Sequence, residues 1–243
     1  MAIVQRKFLL IGLILLGCGQ PAFGGTFSDP SGFTLTYPDG WVALNGSILT
    51  TATQNISNEL QQWAANSKLD FNKVSMVLVR DGRDEFLENI NVVIVKEEIP
   101  ISDKTVHQLT LTLPQHYAAI GMKVSNVQGR VQQLGSNDAV VMEFQSQIPA
   151  VSNTIRQRQV MIAGGGKTYI VTCSGKADTF EEYRPVFDQV LEGFHVPARV
   201  KTGFNWAQLL QKTVIGGVAG GLIGAFAWIA KKLSPKRDAA SSK

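Results

Sequence analysis

In "GFTLTYP", Gly32 to Pro38, apolar Phe33, Leu35 and Tyr37 fall at every second position. That period predicts a half-buried strand. "PDG", Pro38 to Gly40, supplies a turn, and Trp41-Val42-Ala43-Leu44 starts the next strand. Asn55 is placed to cap a helix carrying Ile56, Leu60 and Trp63 on one side. Val74 to Arg80 and Asn89 to Val95 are β-rich runs around a charged loop, the pattern of a hairpin. Thr105 and Gln108 have the spacing of a capping box, and Val106, Leu109, Leu113, Tyr117 and Ile120 follow at helical spacing. Pro114 predicts a kink or break in that helix. Strands are predicted at Asn126 to Leu134, Ala139 to Gln147, Ile155 to Ala163 and Thr168 to Cys173, with "GGGK" turning the chain between the last two. A closing helix opens on Thr179-x-x-Glu182 and carries Phe180, Tyr183, Phe187, Val190, Leu191 and Phe194 on one stripe. Pro185 predicts that its regular part begins there, after a loose first turn.

Strands, helix, hairpin, helix, meander, helix is the order of an α+β domain over residues 25–196, an antiparallel β-sheet flanked by helices. The two ends have another pattern. Phe8 to Leu16 is an apolar run too short to span a bilayer, preceded by Arg6 and Lys7, so residues 1–24 read as a signal peptide. Two processing readings stand open. Pro21 and the small pair Ala22-x-Gly24 suit ordinary signal peptidase, whereas "LLGC" resembles a lipobox in which Cys18 would be lipidated. Near the other end, Thr213 to Ala230 is 18 residues without a charge, bounded by Lys212 and by Lys231-Lys232. As a helix it would reach ~27 Å, close to the ~30 Å hydrocarbon core. Residues 212–231 therefore read as one C-terminal transmembrane helix, joined by a linker at 197–211 and followed by a basic tail at 232–243. The positive-inside rule places that tail in the cytoplasm and the body on the periplasmic side. Gly216, Gly220 and Gly224 recur every fourth residue, a glycine zipper that makes a flat strip for close helix packing.

Charge supports this layout. The whole chain carries +4, yet the body from Gly25 to Val200 carries −4 and the excess lies in the ends. A nucleic-acid partner would need a basic face on the folded domain, so none is expected. The two cysteines, Cys18 and Cys173, leave no internal disulfide once the leader is gone. Cys173, in "TYIVTCSG", reads as a small buried residue.

Catalytic chemistry finds no motif. His107 and His116 are nine residues apart with Pro114 between them, so they do not make a metal pair, and His195 stands by itself. "GGGKT" has Met161 where a phosphate loop needs glycine. Asp81, Asp84, Glu85 and Glu88 offer four carboxylates to a hard cation, although Arg80 and Arg83 among them make a solvated hairpin tip the competing reading. No catalytic residue and no cofactor is predicted. An enzyme would need a pocket that folding builds around His116 or His195 and a carboxylate.

"GFTLTYPDGW", Gly32 to Trp41, resembles the opening of the PsbP-like family, related to DcrB-like envelope proteins. "ENINVVIV", Glu88 to Val95, resembles its central strand, and "TFEEYRPVFDQVLEGFHV", Thr179 to Val196, its closing helix. The resemblance implies an antiparallel sheet between helices, an α/β/α sandwich. The family's members include the extrinsic photosystem II protein, assembly factors for photosynthetic complexes, and bacterial envelope proteins, with no common reaction implied. The apolar C-terminal stretch departs from the soluble photosystem subunit. The expected function is a non-enzymatic, membrane-anchored, extracytoplasmic binding or assembly module of the bacterial envelope. Its partners would be the cytoplasmic membrane and either another protein or a second copy through the spanning helix. The alternative is an envelope sensor for a small ligand or metal.

Overall fold

A computed structural model describes residues 23–45, 74–80, 88–119, 121–147 and 153–200. Its elements run β1 (Phe23–Ser28), β2 (Thr34–Pro38), β3 (Trp41–Asn45), β4 (Val74–Arg80), β5 (Asn89–Val95), α1 (Asp103–Ala118), β6 (Lys123–Leu134), β7 (Asn137–Gln147), β8 (Ile155–Gly164), β9 (Lys167–Lys176) and α2 (Phe180–Glu192). β3 to β9 form a seven-stranded sheet in the order β3-β4-β5-β9-β8-β7-β6, and β1 pairs with β2 beside it. Every pairing is antiparallel. The architecture is α+β: a mostly antiparallel sheet with helices packed on it.

Alternation along the strands sorts the side chains onto two faces. One face carries Met76, Leu78, Ile90, Val92, Val141, Val160, Ile162, Tyr169, Val171 and Cys173, all buried. Phe180, Phe187, Val190, Leu191 and Phe194 of the α2 segment close over it. Leu35 of β2 and Phe33 just before it join this core, and the Phe33 and Phe194 rings stack with centroids 5.2 Å apart. The other face carries Met142 and Phe144 of β7, where α1 packs. Tyr117 of α1 meets Phe144 edge-on at 5.4 Å. Gly129 lets this helix lie close, because a Cβ there would stand 2.7 Å from Val106 Cγ1 and 2.6 Å from Met142 Sδ.

Four local expectations are corrected. The cap of α1 is Ser102, not Thr105: Thr105 N donates to Ser102 Oγ at 3.3 Å, and Thr105 is buried inside the first turn. Of the kink or break expected at Pro114, the break does not occur: Leu109, Leu113 and Tyr117 are buried on both sides of it and hold one continuous helix. Nor does α2 begin at Pro185. It starts at Phe180, which is itself a core residue, so burial orders the first turn. Thr179 is the N-cap as expected, but its helical backbone leaves the box bond unmade. β1 was not anticipated, because "FGGTFS" has no alternating pattern. Gly24 and Gly25 let the strand approach: a Cβ would lie 2.6 Å from Pro38 O at the first and 2.5 Å from the Tyr37 hydroxyl at the second. β1 starts at Phe23, inside the stretch read as leader.

Candidate functional site

Three polar arrangements stand out against the apolar core. The first is a row of neutral side chains on the α1 face of the sheet. Register places Asn89 opposite Ser174 and Ser174 opposite Gln157, with Asn91, Thr172 and Gln159 forming the next rung. Ser146 adjoins them from β7. All seven are at most 1% exposed. Gln157 Nε2 donates to Ser174 Oγ at 3.3 Å, and its Oε1 accepts from Ser146 Oγ at 3.3 Å. Asn91 Nδ2 donates to Thr172 O at 3.2 Å, and Gln159 Nε2 faces Thr172 Oγ1 at 3.5 Å. Among the described residues, Asn91 Oδ1 and Gln159 Oε1 accept nothing. An unmade buried bond costs about 1–3 kcal/mol, so this rung presents two acceptors to any donor that can reach it.

The second arrangement is an ion cluster where β6, β7 and β8 meet α2. Glu143 accepts from Arg184 Nη1 at 3.2 Å and Nη2 at 3.1 Å, from Arg156 Nη2 at 3.2 Å and from Arg130 Nη2 at 3.4 Å. Burial works against its ionisation, but the Arg184 bonds and charge, the Arg156 bond and the Arg130 charge outweigh burial and hold its carboxyl down at about 2. Arg158, almost fully buried, bonds Asp188, while Arg156 and Arg184 both reach Glu181. Cys173 lies next to Arg158 in register. It is fully buried, and burial pushes its thiol up to about 12, as fits a small core residue. Reciprocal ion pairs of this kind tie α2 to the sheet.

The third arrangement fixes where the chain leaves the domain. Glu98 is buried, and its Oε1 accepts from both Gly166 N and Val200 N at 2.9 Å. Gly165 N donates to Ala198 O at 2.9 Å. Gly164 has no room for a side chain, since a Cβ would sit 2.3 Å from Pro197 O. Gly165 and Gly166 take the left-handed backbone of the turn, with φ of +59° and +77°. "GGGK" is therefore the β8–β9 turn, as expected, and also the seat of the exit segment.

Of the metal candidates, Glu88 is described and is buried at the start of β5; Asp81, Asp84 and Glu85 lie outside the described residues. Cys18 and Gly216, Gly220 and Gly224 lie outside them as well. His107 and His195 are exposed and His116 half-buried, and among the described residues none of them pairs with a carboxylate. Among the described residues no group of three or more His, Cys, Asp or Glu is placed to hold a metal, and no helix is long and apolar enough to cross a membrane. The polar row and the ion cluster escaped sequence reading because the members of each come from four elements. A polar residue inside a β-rich run, as in "RQRQVMI", was the available signal.

No family model and no curated protein matches this chain. Solved structures do. The chain is similar to cyanobacterial PsbP (CyanoP) from Synechocystis sp. PCC 6803, at 20% identity and a TM-score of 0.42, over 74% of this chain and 95% of that one. It is similar to LpqN of Mycobacterium tuberculosis, a protein involved in cell envelope biogenesis, at 14% identity and a TM-score of 0.40, over 74% and 87%. It is also similar to PA94 of Pseudomonas aeruginosa, at 16% identity and a TM-score of 0.38, over 51% and 83%.

Proposed function

We propose that this protein is a non-enzymatic binding or assembly module, held by a C-terminal helix on the periplasmic face of the cytoplasmic membrane. The observation that carries this reading is the fixed exit of the chain. Glu98 and the β8–β9 turn hold residues 197–200 against the domain. Only 12 residues, 201–212, separate Val200 from Thr213, where the uncharged stretch begins. Extended, they reach at most about 40 Å. A rigid exit and a short linker would present the domain to neighbours in the membrane rather than release it.

The test is purification of the full-length protein from detergent-solubilised membranes, with co-purifying proteins identified by mass spectrometry. A stoichiometric foreign membrane complex supports the proposal and names the process. Recovery of the protein from the soluble fraction, without partners, overturns it. A second reading, an envelope sensor for a small ligand, draws on the buried acceptors Asn91 Oδ1 and Gln159 Oε1, which have no partner among the described residues. A ligand seated there would raise the melting temperature in proportion to its binding. A metal-sensing version through Asp81, Asp84, Glu85 and Glu88 fails if calorimetry with calcium and manganese gives no heat.

A further inference from the structure

β6 ends the seven-stranded sheet. At 12 residues it is long for an edge, and among the described residues only β7 pairs with it. Sheets protect such edges by short length, proline, charge or bulges. "KVSNVQGRVQQL" has no proline and two charges, Lys123 and Arg130. Its one irregularity is a bulge between Ser125 and Gln128, with Asn126 at φ +55°. From Gln128 to Leu134 the pairing with β7 is unbroken. Val131 is 39% exposed.

The two faces of this edge differ. On the α2 side, register aligns Lys123, Ser125, Gln128, Arg130 and Gln132 with the row of Glu143. On the α1 side lie Val124, Gly129 and Val131. The ion cluster behind Arg130 sets four guanidinium groups against three carboxylates, Glu143, Glu181 and Asp188. Arg130 is its outermost member, about half exposed and held to Glu143 by one contact at 3.4 Å.

We propose that β6 is a docking edge for an extended segment of another protein, one that alternates acidic and β-branched apolar residues. Main-chain bonds would add the segment as an eighth strand. Its carboxylates would lie on the α2 side, facing Lys123 and Arg130, and its apolar residues beside Val124 and Val131. Charge selects this occupant over a second copy. β6 has two cations and no carboxylate, so pairing with itself would make no opposite-charge pair across the seam, whereas an acidic segment would. The inference rests on the reading of the protein as a binding module and names the chemistry of its partner.

The probe is a fluorescein-labelled heptapeptide of alternating Glu and Val, titrated into the full-length protein in detergent micelles and followed by anisotropy. Two controls replace Glu by Lys or methylate alternate backbone nitrogens. Binding of the Glu–Val peptide alone is expected, with slower hydrogen exchange of the β6 amides in the unaltered protein. Arg130→Gln with Lys123→Gln should weaken binding about tenfold, with only the small fall in melting temperature expected from losing the one half-exposed Arg130–Glu143 contact. Equal binding of the methylated peptide would reduce the effect to charge attraction and overturn strand addition, as would no binding at all. A dimer in sedimentation that protects the same amides would assign the edge to a second copy and overturn the acidic partner. A membrane complex that still co-purifies with the double variant would overturn this edge while leaving the proposed function standing.

Discussion

Tyr117 shows how a buried group can be in place for its ring and not for its hydroxyl. The ring packs on Phe144, while among the described residues the hydroxyl has no partner, and burial pushes its ionisation far up. Tyr117→Phe should therefore hold or gain stability, by up to about 1 kcal/mol, read as an equal or higher melting temperature. Glu143 is the opposite case. Its carboxyl is held at about 2 in the fold against an ordinary value of 4.5. A depressed carboxylate stabilises the fold above its unfolded value, and that contribution is lost as pH falls from about 4.5 toward 2. Glu143→Gln should cost roughly 2–3 kcal/mol at neutral pH and flatten the loss of stability across that acid window in urea titrations. Helical spacing pointed to Tyr117 as a core residue, since its neighbours recur along the chain. The role of Glu143 was not legible, because Arg156 and Arg184 stand 13 and 41 positions away and only the β7–β8 pairing and the docking of α2 bring them together.

The two helices show burial overriding local preference. Pro114 and Pro185 each remove one backbone donor, a cost of about 3 kcal/mol in an isolated helix. Leu113 and Tyr117 flank the first and Phe180 and Phe187 the second, all buried, so both helices continue through. The β8–β9 turn shows the reverse, a sequence feature whose purpose lies outside its own hairpin. Two of its glycines serve the turn and Gly164 serves Pro197. Gly164→Ala should lift the exit segment, cost about 1–3 kcal/mol and speed tryptic cleavage after Arg199. Glu98→Ala, which withdraws the acceptor of Val200 N, should speed that cleavage too. Unchanged digestion in both variants would mean that the segment is not held there in solution.

In the assembled molecule, the sheet order brings β5 and β9 to the centre and leaves β6 at a rim. If the glycine strip at Gly216, Gly220 and Gly224 packs against another helix, Gly220→Leu should weaken crosslinking between anchors while the protein stays in the membrane fraction. Unchanged crosslinking would remove the strip as an interface. Strands β2 to β9, the hairpin of β4 and β5, the stripe of α2 and the burial of Cys173 were legible in the chain. Each depends on periodicity or composition within a short window, where backbone geometry leaves few solutions. The β1 strand, the helix start at Ser102, the amide ladder, the Glu143 cluster and the Glu98 seat were not. Apart from Ser102, whose bond to Thr105 N is local, each joins groups from different elements, and a contact of that kind exists only once strands have found their register and helices their face of the sheet.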